Sequence, residues 1–165
     1  MGAFDHLSDN ELETLRKEEK IKRSATRLKA KTGQIFLEQQ FELVASASAS
    51  RVYRLYRRHH PDLNHVFSVG LQLSIAGEWL TLCRYNGSYH PHRNHIERNR
   101  LVNVCHIHTA TERYIAEAAH PDGYAIETDR YSTVDGALRS MLIDCNIKGV
   151  ISDGDAAPES LDFGF

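Results

Sequence analysis

The chain has 165 residues, a formal net charge of −2, ten histidines and three cysteines. At 41% hydrophobic and 25% charged residues its composition is that of one ordinary globular domain, which excludes wholesale disorder and a fibre. No stretch approaches the ~18 uncharged apolar residues of a transmembrane helix, and the opening Met1-Gly2-Ala3-Phe4-Asp5-His6 lacks the basic-then-apolar order of a signal peptide.

In chain order, Ser8-Asp9-Asn10-Glu11 has the pattern of a capping box, with Ser8 as N-cap. It predicts a helix running to about Lys31, where Thr32-Gly33 would stop it. The apolar residues of that segment, Leu12, Leu15, Ile21, Ala25 and Leu28, form only a narrow stripe. Phe41 to Val44 alternates as a strand, Ala45 to Ser50 is a small-residue connector, and Val52 to Arg57 has strand composition, with a helix across 45–58 as the competing assignment. Val66 to Ser74 and Glu78 to Tyr85 flank Ile75-Ala76-Gly77, which predicts a hairpin. Residues 86–100 read as a long polar loop, and Leu101 to His108 as a strand. Thr109-Ala110-Thr111-Glu112 is a second capping box that opens a short helix, ended by His120-Pro121-Asp122-Gly123. Tyr124 to Thr128 is one more strand. Ser132-Thr133-Val134-Asp135 caps an amphipathic helix with the stripe Val134, Ala137, Leu138, Met141, Leu142 and Cys145. The expected fold is α+β: a mostly antiparallel sheet with an N-terminal helix, a short helix after the His-x-His strand and a C-terminal helix. The expected organisation is a helical arm over 1–33, a single α+β domain over 34–150, and an acidic, disordered tail over 151–165.

The near-neutral total hides a gradient. Residues 1–60 sum to +4, 61–119 to 0 and 120–165 to −6. Between Lys31 and Lys148 every basic residue is arginine, whose planar fork suits phosphate or carboxylate. Eight of the ten histidines fall between His59 and His108. His90, His92 and His95 sit on the polar loop, and His106 and His108, two apart on a strand, share one face. If the loop folds over the sheet, its imidazoles meet the strand pair. Cleavage of RNA through its own 2′-hydroxyl needs a base, an acid and a cation. His106 and His108 are the candidate acid–base pair, with His92 assisting. Arg84, Arg93 and Arg113 are candidate phosphate ligands, supported by Asn86, Asn94, His95, Glu112 and Tyr114. The helix N-terminus that follows the His-x-His strand offers amides to phosphate. No HExxH, CxxC, GxSxG or Walker pattern occurs. The cofactor expectation is therefore none, with a divalent metal at His92, His106 and His108 as the minority alternative. Tyr53 and Tyr56 with Arg54, Arg57 and Arg58 would form a basic stacking surface for single-stranded nucleic acid, weighed against core-edge tyrosines with solvated arginines. Cys83, Cys105 and Cys145, odd in number and far apart, read as buried free thiols in a reducing cytoplasm.

The segments Phe67-Ser68-Val69-Gly70-Leu71, Arg84-Tyr85-Asn86-Gly87, Pro91-His92-Arg93-Asn94, His106-Ile107-His108 and Ala110-Thr111-Glu112-Arg113-Tyr114 resemble those of a family of uncharacterised bacterial proteins, over roughly residues 51–147. The sheet, the His-rich loop and the His-x-His strand also resemble small toxin components of bacterial toxin–antitoxin systems. That likeness implies a mobile-element or phage-defence setting and RNA, more than DNA, as target. The functional expectation is thus a cytoplasmic, nucleic-acid-acting or nucleic-acid-binding protein, a metal-independent ribonuclease-type toxin using histidine acid–base chemistry. The alternative is a non-catalytic protein-binding or inhibitor module, phage- or plasmid-encoded, that docks a partner through its N-terminal helix and keeps its histidines for structure.

Overall fold

Alternating apolar and polar side chains build the centre of the molecule. The computed structural model describes residues 2–30, 33, 35–117 and 120–151. Helix α1 (Asp9–Lys17) leads into β1 (Lys20–Ala25) and the two-residue β2 (Lys29–Ala30). A meander follows: β3 (Leu37–Ala45), β4 (Ser48–His59), β5 (Phe67–Ile75) and β6 (Glu78–Asn86). The small hairpin β7 (His92–Asn94) and β8 (Asn99–Leu101) precedes β9 (His106–Thr109), α2 (Glu112–Ala116), β10 (Tyr124–Glu127), α3 (Val134–Asp144) and β11 (Ile147–Lys148). The main sheet runs β10-β9-β6-β5-β4-β3-β1-β11, with β2 also paired to β3. Its pairings are antiparallel except β1 with β11. The fold is therefore α+β with a mostly antiparallel sheet, as the patterning predicts.

Because side chains alternate across a sheet, the two faces differ in chemistry. One face stacks Phe41, Leu55, Leu71 and Cys83 across four strands, with Leu43, Tyr53 and Leu73 beside them. Helices α1 and α3 lie on this face. Leu12 of α1 and Ala137, Leu138 and Met141 of α3 are buried against it. The hairpin between β5 and β6 turns through Ala76 and Gly77, both at positive φ (51° and 80°), as a tight two-residue connection requires. The strand expected over Val52 to Arg57 lies within β4, but most of the expected connector is strand as well, Ala45 in β3 and Ser48 to Ser50 in β4, so alanine's helix preference in that stretch yields to sheet pairing.

Helix α1 ends fourteen residues before the predicted stop at Lys31. Ser8 and Glu11 do form the reciprocal capping box. At the far end, the Glu18 N–H bonds back to the Thr14 carbonyl and the chain turns extended. Residues 20–25 then find hydrogen-bond partners on β3. Ile21 and Leu28, counted in the apolar stripe, are exposed. The charged segment is a strand of the same sheet, because an open strand edge offers it more than a helix with almost nothing to bury. The two later helices begin at N-caps Thr111 and Thr133, where each threonine hydroxyl accepts from the backbone N–H three residues on. They start inside the predicted boxes rather than at Thr109 and Ser132. The expected tail, from residue 152 on, lies outside the described residues.

Lys20 joins the two ends of the chain. It is fully buried, and its Nζ donates to the carbonyls of Arg16 (2.8 Å), Glu18 (2.8 Å) and Cys145 (3.0 Å). Those carbonyls belong to the C-terminal ends of α1 and α3, where backbone acceptors lack intrahelical partners and the dipole favours a cation. Burial pushes Lys20 down to about 8, so the ammonium persists at pH 7. Beside it, Glu18 takes a two-pronged bond from Arg51 (2.9 and 2.7 Å) and the Tyr53 hydroxyl. Burial raises the Glu18 carboxyl, but these donors outweigh it and hold the pKa below 4.5.

Lys20→Met is expected to cost about 2–4 kcal/mol in urea unfolding, because three buried carbonyls lose their donor at once. A carboxylate with a depressed folded pKa stabilises above its unfolded pKa and loses that contribution as pH falls through the folded one. Stability measured from pH 6 down to pH 3 should accordingly fall more steeply in the wild type than in Glu18→Gln.

Candidate active site on the open face of the sheet

The face away from the helices is polar, and strand register decides what stands beside what. One cross-strand row reads Arg58, Ser68, Asn86 and His106. The neighbouring row reads Tyr56, Gly70, Arg84 and His108. Gly70 is needed there: a Cβ at that position would stand 2.3–2.5 Å from the Tyr56 ring and hydroxyl, so only glycine lets the ring lie across β5. Over the β9 end of these rows sits the β7–β8 hairpin. Alternation along β7 points His92 and Asn94 inward and leaves Arg93 exposed.

The loop and strand histidines therefore converge. Ring centres of His106 and His108 are 5.0 Å apart, His92 lies 4.5 Å from His108 and 5.8 Å from His106, and His90 lies 5.4 Å from His106. Their partners fix their tautomers. His106 Nδ1 meets the Val104 carbonyl (2.9 Å) and His108 Nδ1 the Asp122 carbonyl (2.9 Å), so both Nδ1 atoms carry the proton. His92 Nε2 faces two acceptors, Gly123 O (2.8 Å) and Asn94 Oδ1 (3.0 Å), so it is protonated. What remains is a pair of buried lone pairs: His106 Nε2 and His108 Nε2 have no hydrogen-bond partner, nor do the nearby His90 Nδ1 and Asn86 Nδ2.

Burial and neighbouring charge disfavour a proton on three of these imidazoles. Burial, then the charge of Arg84 and the neighbouring imidazoles, pushes His108 down to about 2. Burial also lowers His106 and His90, with Arg84 and His92 adding to it. His108 is thus removed as a proton donor at neutral pH, and the acid half of the predicted His106–His108 pair cannot rest on it. Arg84 is half-buried and holds Asp122 at 2.9 Å. Its guanidinium stands at the cluster with its charge partly answered.

The other predicted residues separate. Asn94 is a clamp: it donates to Ala125 O (2.8 Å) and Asn99 Oδ1 (3.1 Å) and accepts from Ala125 N–H (2.8 Å), tying the hairpin to β10. Asn86 is buried beneath the cluster and accepts from the Ser68 hydroxyl. His95 is exposed and meets Tyr114 edge-on. Arg113 is engaged by Glu97 (2.7 Å) and lies over the Tyr124 ring, and Tyr114 also donates to Glu97. The expected phosphate-binding helix start is already satisfied. The Glu112 N–H donates to Asp9 Oδ1 (2.8 Å), and Thr111 caps Tyr114. Among the described residues, no group of three or more His, Cys, Asp or Glu side chains is arranged to hold a metal ion. Within the cluster, His92 Nε2 is committed to Gly123 and Asn94, so it does not join the two free Nε2 atoms. The predicted stacking surface on β4 divides between faces: Tyr53 and Arg57 turn toward α1 and α3, while Arg54, Tyr56 and Arg58 lie on the open face, with Arg54 over Trp79 at 4.2 Å.

Sequence reasoning misses Asp122, and it places His90 on the loop without giving it a role. His90 is the i−2 partner of His92, a period-two signal of the same kind as His106 and His108. Asp122 had been read only as part of a helix-stopping turn, and nothing local shows that this turn reaches Arg84. No family model, curated protein or solved structure matches the chain.

Histidines held neutral below their unfolded pKa stabilise above about pH 6.5, and that contribution is lost as acid protonates the unfolded chain first. Melting temperature should fall between pH 7 and pH 5, less so in His108→Gln. Asn94→Ala should speed amide exchange across 92–101 by more than tenfold while leaving β4 and β5 protected.

Proposed function

We propose that the protein binds nucleic acid, RNA ahead of DNA, across the open face of the sheet and cleaves its backbone at the imidazole cluster. The observation that supports this most is the convergence of four imidazoles, two of them with unpartnered Nε2 atoms, beside Arg84. In the chemistry we assign, His106 Nε2 accepts the proton of a 2′-hydroxyl as its oxygen attacks the adjacent phosphorus. Arg84 offsets charge on the phosphoryl oxygens, and His92, entering the step as the imidazolium, passes its Nδ1 proton to the departing 5′-oxygen. The products are a 2′,3′-cyclic phosphate and a free 5′-hydroxyl, which explains the preference for RNA: DNA has no internal nucleophile. Arg54 and Arg58, with the 40%-exposed Trp79, would track the strand by charge and stacking. His106 is fully buried, so access of the substrate requires local opening at the cluster. The setting we infer is a bacterial mobile-element or defence role of the ribonuclease-toxin type. The helix of the protein-binding alternative packs its apolar stripe on its own sheet through Leu12 and Leu15, which favours the nucleic-acid reading over it.

The test is induced expression with inspection of cellular RNA, alongside purified protein incubated with a single-stranded RNA. Wild type should yield cyclic-phosphate ends. His106→Ala/His108→Ala and His92→Ala should lose about 10²-fold or more in rate, and Arg84→Gln should also weaken binding in a salt-dependent way. Cleavage that survives unchanged in the double histidine variant, with folding verified, overturns the assignment.

A further inference from the structure

A second pair of reactive groups lies on the opposite face, away from the imidazoles. Cys83 Sγ and Cys145 Sγ are 3.7 Å apart and both residues are buried. A disulfide holds its sulfurs about 2.05 Å apart, so closure needs less than about 2 Å of movement. Cys83 is fixed in β6 between β5 and β9. Cys145 is the C-cap of α3, followed at once by Asn146 at φ 55°, so the mobile partner is at a helix end. Next to the pair is a cavity of about 130 Å³, lined by both cysteines with Arg16, Tyr85 and Asp144 and reaching the exposed Glu13 and Lys17. Water occupies about 30 Å³ in the liquid, so the space admits a peroxide.

We propose that Cys83 and Cys145 are a peroxide-responsive dithiol that closes to a reversible intramolecular disulfide. The Cys145 thiolate attacks one oxygen of the peroxide, the O–O bond breaks, and the departing oxygen takes a proton and leaves as water. Cys145 is then a sulfenic acid. The Cys83 sulfur attacks the Cys145 sulfur, the S–O bond breaks, and the departing hydroxide takes the Cys83 proton and leaves as water. Two thiols and one hydrogen peroxide thus become one disulfide and two waters, and an external dithiol reverses the change. The thiol–thiol hydrogen bond and the seat of Lys20 at Cys145 assign the order. A hydrogen bond from Cys83 lowers the Cys145 thiol; burial opposes it, and Lys20 and Arg16 assist. The same hydrogen bond and burial raise Cys83. Lys20 is held at Cys145 through that residue's own carbonyl. Cys105, half-buried and raised by burial, has no such neighbour. This inference is independent of the nuclease reading, since it concerns other residues and the other face of the sheet.

Folded protein treated with stoichiometric hydrogen peroxide should lose two of its three free thiols, fall in mass by about 2 Da, and recover both on addition of dithiothreitol. A peptide map after alkylation, which needs no variant, should link the Cys83 and Cys145 peptides. Cys105→Ser should react as the wild type does, and Cys83→Ser should leave a trappable sulfenic acid at Cys145. A thiol count that stays at three, a map linking Cys105, or oxidation that appears only in urea overturns the proposal.

Discussion

The period of two along four consecutive residues of β6 organises the molecule. Cys83 and Tyr85 turn toward the helices, and Arg84 and Asn86 turn toward the open face. On one side the strand takes part in an apolar layer closed by α1 and α3. On the other it is the middle rung of two polar rows that end at His106 and His108. A slip of one residue in this strand would exchange the faces, placing an arginine in the core and a thiol among the imidazoles. The long antiparallel pairing with β5, the shorter one with β9, and the burial they enforce specify the register.

The imidazole cluster is an example of polar burial that is satisfied on one side only. Backbone carbonyls of Val104, Asp122 and Gly123 each take one ring N–H, which orients the rings without charging them. The opposite nitrogens of His106 and His108 are left without partners. Unpaired buried acceptors cost free energy, and native folds retain few of them, so their placement together beside an arginine is the feature of this surface that asks for a chemical explanation. The Arg84–Asp122 pair keeps the local charge near balance, while burial, helped by the guanidinium, disfavours a proton on His90, His106 and His108.

Much of this was legible in the chain. Alternation gave the strands, the Ala76-Gly77 turn gave the central hairpin, and the two-residue spacing of His106 and His108 put them on one face. The first helix was overextended because charged residues with helix propensity look alike whether they continue a helix or line a sheet edge. Only the pull of Lys20 back onto the carbonyls of Arg16 and Glu18 shows where it must end. Arg93 and Arg113 were sound as residue types but not as neighbours: one faces outward by the same alternation that turns His92 inward, and the other is claimed by Glu97. Such outcomes depend on contacts distant in sequence, which a local pattern does not encode.

The lysine that seals two helix ends also has a bearing on how the chain is made. Its three acceptors come from residues 16, 18 and 145, and its strand is flanked by β3 on one side and β11 on the other. Within this sheet α1 and β1 precede every other element in the chain, yet neither can complete its bonding until the segment beyond Asp144 arrives. Contacts of such long separation are late events in folding. The α1–β1 segment therefore waits, with an ammonium still facing water, for almost the entire sheet to assemble. Elements made early are here among the last to be locked in place.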